Sequence, residues 1–147
     1  MIGQNKNMEQ QHDKSQQSFS MKKRLRSFRH AFNGIRLAIS GEHNMRIHLV
    51  AMILVVAAGF ILGISSHDWI AIVFAIGFVF AAELFNSAIE SLADFISQGH
   101  HVDIGKIKDI AAAAVLISAF TAFAIGILVF WPHVKTLFGV AILITEN

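Results

Sequence analysis

The chain has 147 residues, enough for one domain, and 54% of them are apolar against 15% charged. So little charged surface is wrong for a water-soluble domain of this length and points to a membrane protein. The absence of cysteine excludes disulfides and thiolate metal sites, and a formal charge of +2 is too small for a nucleic-acid binder.

Residues 1–20 are rich in Gln, Asn, Lys and Ser. They hold no apolar segment of the kind a cleavable signal peptide requires, and they read as a disordered tail. Insertion would then be directed by the spans themselves.

Residues 21–40 are predicted to form an amphipathic helix. Leu25, Phe28, Phe32, Ile35 and Ile39 recur at spacings of three and four, with Lys22, Lys23, Arg26, Arg29 and Arg36 on the remaining surface. A basic helix with such a face suits an anionic membrane surface; packing on a protein partner is the plainer alternative.

A first span is expected over 47–64. Ser65, Ser66, His67 and Asp68 then form a polar turn, with Trp69 at the position of an interfacial anchor. A second span is expected over 69–96. A polar, basic loop follows from Gly99 to Asp109. The third span, 110–131, closes on Trp131-Pro132, read as an interfacial aromatic and a helix stop. Residues 137–147 form a short tail whose apolar run is too brief to cross again. Basic residues crowd before the first span and between the second and third, so the positive-inside rule places the amino terminus in the cytoplasm; Lys135 is a small exception. The domain as a whole covers 21–136.

The second span carries the chemistry. Glu83, Asn86, Glu90 and Asp94 stand at i, i+3, i+7 and i+11 and share one helical face. An ionisable group at mid-bilayer costs about 2.5–3.5 kcal/mol even on the lenient scale, so a row of them marks a functional site. With a rise of about 1.5 Å per residue, Glu83 lies roughly 21 Å from Trp69, and Glu90 about 10 Å further on. The row therefore runs from inside the bilayer to the cytoplasmic surface. Glu90 near water suits Mg²⁺, and Glu42, before the first span, is placed to complete a metal site. Glu83, in drier surroundings, suits abstraction of a hydroxyl proton. Asn86 would orient a substrate oxygen between them, and Lys108 is available for phosphate charge. The purely structural alternative pairs these carboxylates with Arg36, Arg46 or Lys108.

The remaining candidates are weaker. His43 and His48 are poorly placed to share a helix face, and His100 and His101 are adjacent, so these read as solvent or interface histidines rather than zinc ligands. Gly59, Gly63, Gly77 and Ala111 to Ala114 are expected where helices approach closely. No phosphate-cradling glycine loop and no soluble-kinase motif occurs.

The chain resembles the prokaryotic diacylglycerol kinase family, which includes undecaprenol kinases. The resemblance rests on Glu83-Leu-Phe-Asn86-Ser87-Ala88-Ile89-Glu90 with Asp94, and on Lys108-Asp109-Ile-Ala-Ala-Ala-Ala-Val115, and it extends over about Arg24 to Pro132. Asn44-Met-Arg46-Ile-His48 and Gly99-His100-His101 look more like the undecaprenol-kinase branch. The resemblance implies an all-α integral membrane protein of the bacterial cytoplasmic membrane: a homotrimer of three-span subunits, each with a surface helix, whose active sites are shared between subunits. It implies transfer of the γ-phosphate of ATP, with Mg²⁺, to a membrane lipid alcohol, either undecaprenol or diacylglycerol. By the same resemblance Glu83 is the catalytic base, and Glu42 and Glu90 hold the metal. Nucleotide contacts fall on Lys23 (or the adjacent Arg24), His30, Gly99, His100, His101, Lys108 and Asp109, and Asn86 joins Glu83 at the lipid, with Asp94 in support.

Two readings from other classes compete on the residues alone. Inward carboxylates in oligomerised spans suit an ion or proton path, though the stripe stops partway across. A non-enzymatic assembly subunit would use the same carboxylates to pair with a partner's basic residue.

Overall fold

The computed structural model describes residues 21–97, 99 and 101–145; the proposed tail over 1–20 lies outside them. Among the described residues the chain is wholly helical: α1 (Met21–Gly41), α2 (His43–Leu62), α3 (Ser66–Ile96) and α4 (Val102–Thr145). It divides into two compact units, with the boundary inside α1 between Gly34 and Ile35. The first unit contributes the start of α1, on which Leu25, Phe28 and Phe32 are exposed.

The second unit holds the three long helices. Segments His43–Leu62, Ser66–Ile96 and Val102–Leu137 are each long and apolar enough to cross a bilayer. Most of their large side chains, such as Phe60, Phe74, Phe85 and Leu128, face outward. That is the surface of a helix solvated by hydrocarbon rather than water.

The joint between α2 and α3 is sharply defined. Gly63 takes a left-handed conformation (φ 61°) as the C-cap of α2, and its N–H bonds back to the carbonyl of Gly59. Only glycine adopts that backbone without a Cβ penalty. Ser65 then caps α3 through a reciprocal pair: its hydroxyl accepts the Asp68 N–H, and the Asp68 carboxylate accepts the Ser65 N–H. The polar turn read over 65–68 is therefore mostly the first turn of α3, and Trp69 sits inside that helix. Its ring tilts against Phe60 at 4.8 Å.

α3 and α4 share the main interface, and α2 lies against both more lightly. The buried face of α3 is Ile72, Ala75, Val79, Glu83, Asn86 and Ala93. Ile64, Ile72 and Val129 form a small core near the α2–α3 joint.

Two expected boundaries shift. The segment Gly99 to Asp109 is not all loop, because α4 begins at Val102. Asp103 in its first turn favours the helix N-terminus and forms an ion pair with Lys106 one turn on. Nor does Trp131-Pro132 stop the last span: Pro132 lies within α4. The proline forfeits one backbone bond, yet polar side chains take up carbonyls on either side of it. His133 Nδ1 lies 3.0 Å from the Val129 carbonyl, and the Thr136 hydroxyl donates to the Pro132 carbonyl at 3.0 Å. The short tail expected from 137 on thus begins inside that helix.

The small residues divide in the same way. Gly59 is packed under Trp69, whereas nothing lies within 4 Å of a side chain added at Gly77, and Gly63 serves as a cap. Of the alanine run, only Ala111 is buried.

Candidate active site

α3 presents the acidic row as a gradient of exposure. Glu83 is 1% exposed and Asn86 6%, Glu90 is half-buried, and Asp94 is exposed. Helical spacing alone aligns them; packing against the neighbouring helices decides which are dry. Asn86 Nδ2 donates to Glu90 Oε1 at 2.9 Å, so the amide fixes the carboxylate one turn away. That leaves Asn86 Oδ1 buried without a hydrogen-bond partner among the described residues, and Ser87 Oγ is in the same condition. Buried acceptors left unpaired cost roughly 1–3 kcal/mol each, which makes them natural places for a ligand donor.

Glu83 has a neighbour on α2. His48 Nε2 lies 3.1 Å from Glu83 Oε1. The contact is within ion-pair distance but misses hydrogen-bond alignment, so Oε1 also lacks a hydrogen-bond partner among the described residues. Sequence reasoning set His48 aside as a solvent or interface histidine. The signal in the sequence was an ionisable side chain in the first turns of a span; the helix it meets is not encoded locally.

Glu42 is the N-cap of α2, yet its carboxylate makes no capping bond and stays available. Glu42 and Glu90 lie within electrostatic reach of the Glu83 carboxylate. Arg46 donates from Nε to the backbone carbonyl of Glu42 at 3.4 Å.

At the open end of the row, Lys108 on α4 forms an ion pair with Asp94. This is the structural pairing that the sequence left open for Asp94, and it joins the end of α3 to the start of α4. The charge of Glu90 also reaches Lys108. Asp109, Gly99 and His101 are exposed nearby in sequence, with Gly99 held by Ser97, whose hydroxyl donates to the Gly99 carbonyl. His100 lies outside the described residues. Lys23 and His30 belong to the first unit; His30 is exposed, and the side chain of Lys23 lies outside the described part.

The light packing of α2 leaves a cleft of about 490 Å³ between α2, α3 and α4. His48 lines it together with Ala51, Ile72, Ala75, Val79 and Trp131 among other apolar side chains. The cleft thus carries hydrocarbon surface from the Glu83 region along the span, in the size range of small-molecule sites.

Three bilayer-length helices, one of them carrying a carboxylate row from a buried to an exposed end, define a small multi-pass helical membrane protein. Residues 29–130 match the family model described as prokaryotic diacylglycerol kinase. The undecaprenol kinase of Bacillus subtilis (strain 168) is 38% identical over 108 residues, covering 74% of this chain and 88% of that protein. The diacylglycerol kinase of Synechocystis sp. is 35% identical over 104 residues, covering 69% of this chain and 59% of that protein. The diacylglycerol kinase of Escherichia coli (strain K12) is 30% identical over 104 residues, 71% of this chain and 85% of that protein. The chain belongs to the prokaryotic diacylglycerol kinase family and is a lipid kinase. The conducting and assembly-subunit readings are not favoured.

Proposed function

We propose that this lipid kinase transfers the γ-phosphate of ATP to the hydroxyl of a membrane lipid alcohol, with undecaprenol ahead of diacylglycerol. The observation that carries the reading is Glu83: a carboxylate buried within a span, beside the His48 that lines an apolar cleft, with Oε1 free of hydrogen bonds among the described residues. The lipid hydroxyl oxygen attacks the γ-phosphorus in line while its proton passes to Glu83, and the bond from the γ-phosphorus to the bridging oxygen breaks to release ADP. Asn86 Oδ1 offers a second acceptor for the lipid headgroup. The preference for undecaprenol draws on the Asn44-Met-Arg46-Ile-His48 motif and on the 38% identity to the Bacillus subtilis undecaprenol kinase.

The donor set fits magnesium. That ion is held by one or two carboxylates plus substrate phosphates, and Glu42 has an uncommitted carboxylate while Glu90 has one oxygen beyond its bond to Asn86. When bound, magnesium neutralises phosphate charge. Lys108, Asp109, Gly99, His100 and His101, with Lys23 and His30 of α1, complete the nucleotide contacts in this proposal. In this proposal the subunits form a homotrimer with active sites shared between them. The amino terminus and the end of α3 face the cytoplasm of a bacterial inner membrane, and α1 lies on its surface.

The test is purified protein with labelled ATP and a panel of lipid alcohols. Glu83→Gln is expected to keep its assembly and bind ATP while turnover falls by about 10²–10⁴, the range for a lost general base. Retained lipid phosphorylation in that variant would remove Glu83 from the mechanism.

A further inference from the structure

We propose that His48 is a positioning residue that aims the Glu83 carboxylate at the lipid hydroxyl, an inference that rests on Glu83 being the base. Glu83 is almost completely enclosed, yet no hydrogen bond among the described residues sets the orientation of its Oε1, and a reacting group must be aimed to act. His48 Nε2, at 3.1 Å, approaches it from a different helix. Among the described residues His48 is also the one ionisable side chain lining the apolar cleft between α2, α3 and α4. It therefore stands at the junction of the hydrocarbon surface and the base.

The choice of side chain is informative. A lysine or arginine there would hold a permanent charge against Glu83 and lock the carboxylate into an ion pair. An imidazole supplies a directional N–H donor without a permanent cation, so it can orient the carboxylate and still leave it free to take a proton. The present misalignment of the Nε2 contact fits a donor that tightens when a substrate hydroxyl closes the site.

The experiment compares His48→Leu with His48→Gln, because the glutamine amide places an N–H donor at a reach similar to Nε2. His48→Leu is expected to lower kcat by about tenfold to a hundredfold while KM for lipid and ATP stays within about twofold. His48→Gln is expected to recover kcat to within about threefold of the parent. Adding His48→Leu to Glu83→Gln is expected to cost nothing further, because a residue acting through Glu83 has no effect once the carboxylate is gone. Should His48→Leu fail to assemble, His48→Asn, whose amide falls short of Glu83, replaces it against His48→Gln. An unchanged kcat in His48→Leu overturns the inference, as does a rise in KM alone, which would make His48 a lipid contact. Equal losses in the leucine and glutamine variants overturn it as well. Full turnover in Glu83→Gln alone would instead reject the base assignment, so the two failures are told apart.

Discussion

Replacing Asn86 with leucine separates the hydrogen bond that orients Glu90 from the packing that surrounds it. Asn86 is 6% exposed, and its Nδ2 donates to Glu90 Oε1 at 2.9 Å. Leucine has the same branched heavy-atom skeleton with somewhat more bulk; it removes the donor, and it also removes Oδ1, a buried acceptor with no partner among the described residues. Loss of the unpaired Oδ1 offsets part of the cost of added bulk and of leaving Glu90 Oε1 without its donor, so the fold should lose no more than about 1–3 kcal/mol. The catalytic cost comes from the lost bond. A hydrogen bond to a charged acceptor contributes about 1.5–3 kcal/mol, and at about 1.4 kcal/mol per decade that corresponds to a loss of roughly tenfold to 150-fold in kcat/KM. Because the bond fixes a proposed metal ligand, the magnesium concentration needed for half-maximal activity should rise as well. The assay is steady-state phosphorylation of a lipid alcohol across a magnesium titration, with thermal unfolding in detergent measured on the same samples. Activity within twofold of the parent, together with an unchanged magnesium requirement, would refute the claim that Asn86 holds Glu90 for the metal.

Two further outcomes are expected. The Lys108–Asp94 pair is largely exposed to solvent, so neither Lys108→Ala nor Asp94→Asn should shift the melting temperature much; in ATP titrations of activity, Lys108→Ala should raise KM for ATP by about tenfold and Asp94→Asn far less, as a phosphate contact requires. A Cβ added at Gly59 would stand 2.9 Å from Trp69 Cη2 and 3.1 Å from Ile64 Cδ1, so Gly59→Ala should destabilise the protein by about 1–3 kcal/mol in thermal unfolding, whereas Gly77→Ala, with nothing within 4 Å, should be neutral or slightly stabilising.

The number of spans, their order and the acidic row were all legible in the sequence, for a physical reason. Bilayer insertion depends on long apolar runs, and the alignment of Glu83, Asn86, Glu90 and Asp94 follows from helical rotation alone. Span ends were less legible. The Ser65–Asp68 cap, the helical start at Val102 and the helix running through Pro132 depend on local side-chain bonds that outweigh a reading of polar residues as loop and proline as a stop.

Burial and partnership belonged to the tertiary structure. Sequence spacing put four polar groups on one face and ordered them by depth, whereas the near-complete enclosure of Glu83 and the placing of Asp94 beside Lys108 came from packing between helices. His48 shows the limit most directly. Its spacing within α2 gave no sign of a role, because its contact is with a residue 35 positions away on another helix. What one helix carries is written in its own periodicity; what that helix meets is set by how separate spans pack, and no local pattern encodes the meeting of Glu83 with a His48 that lines an apolar cleft.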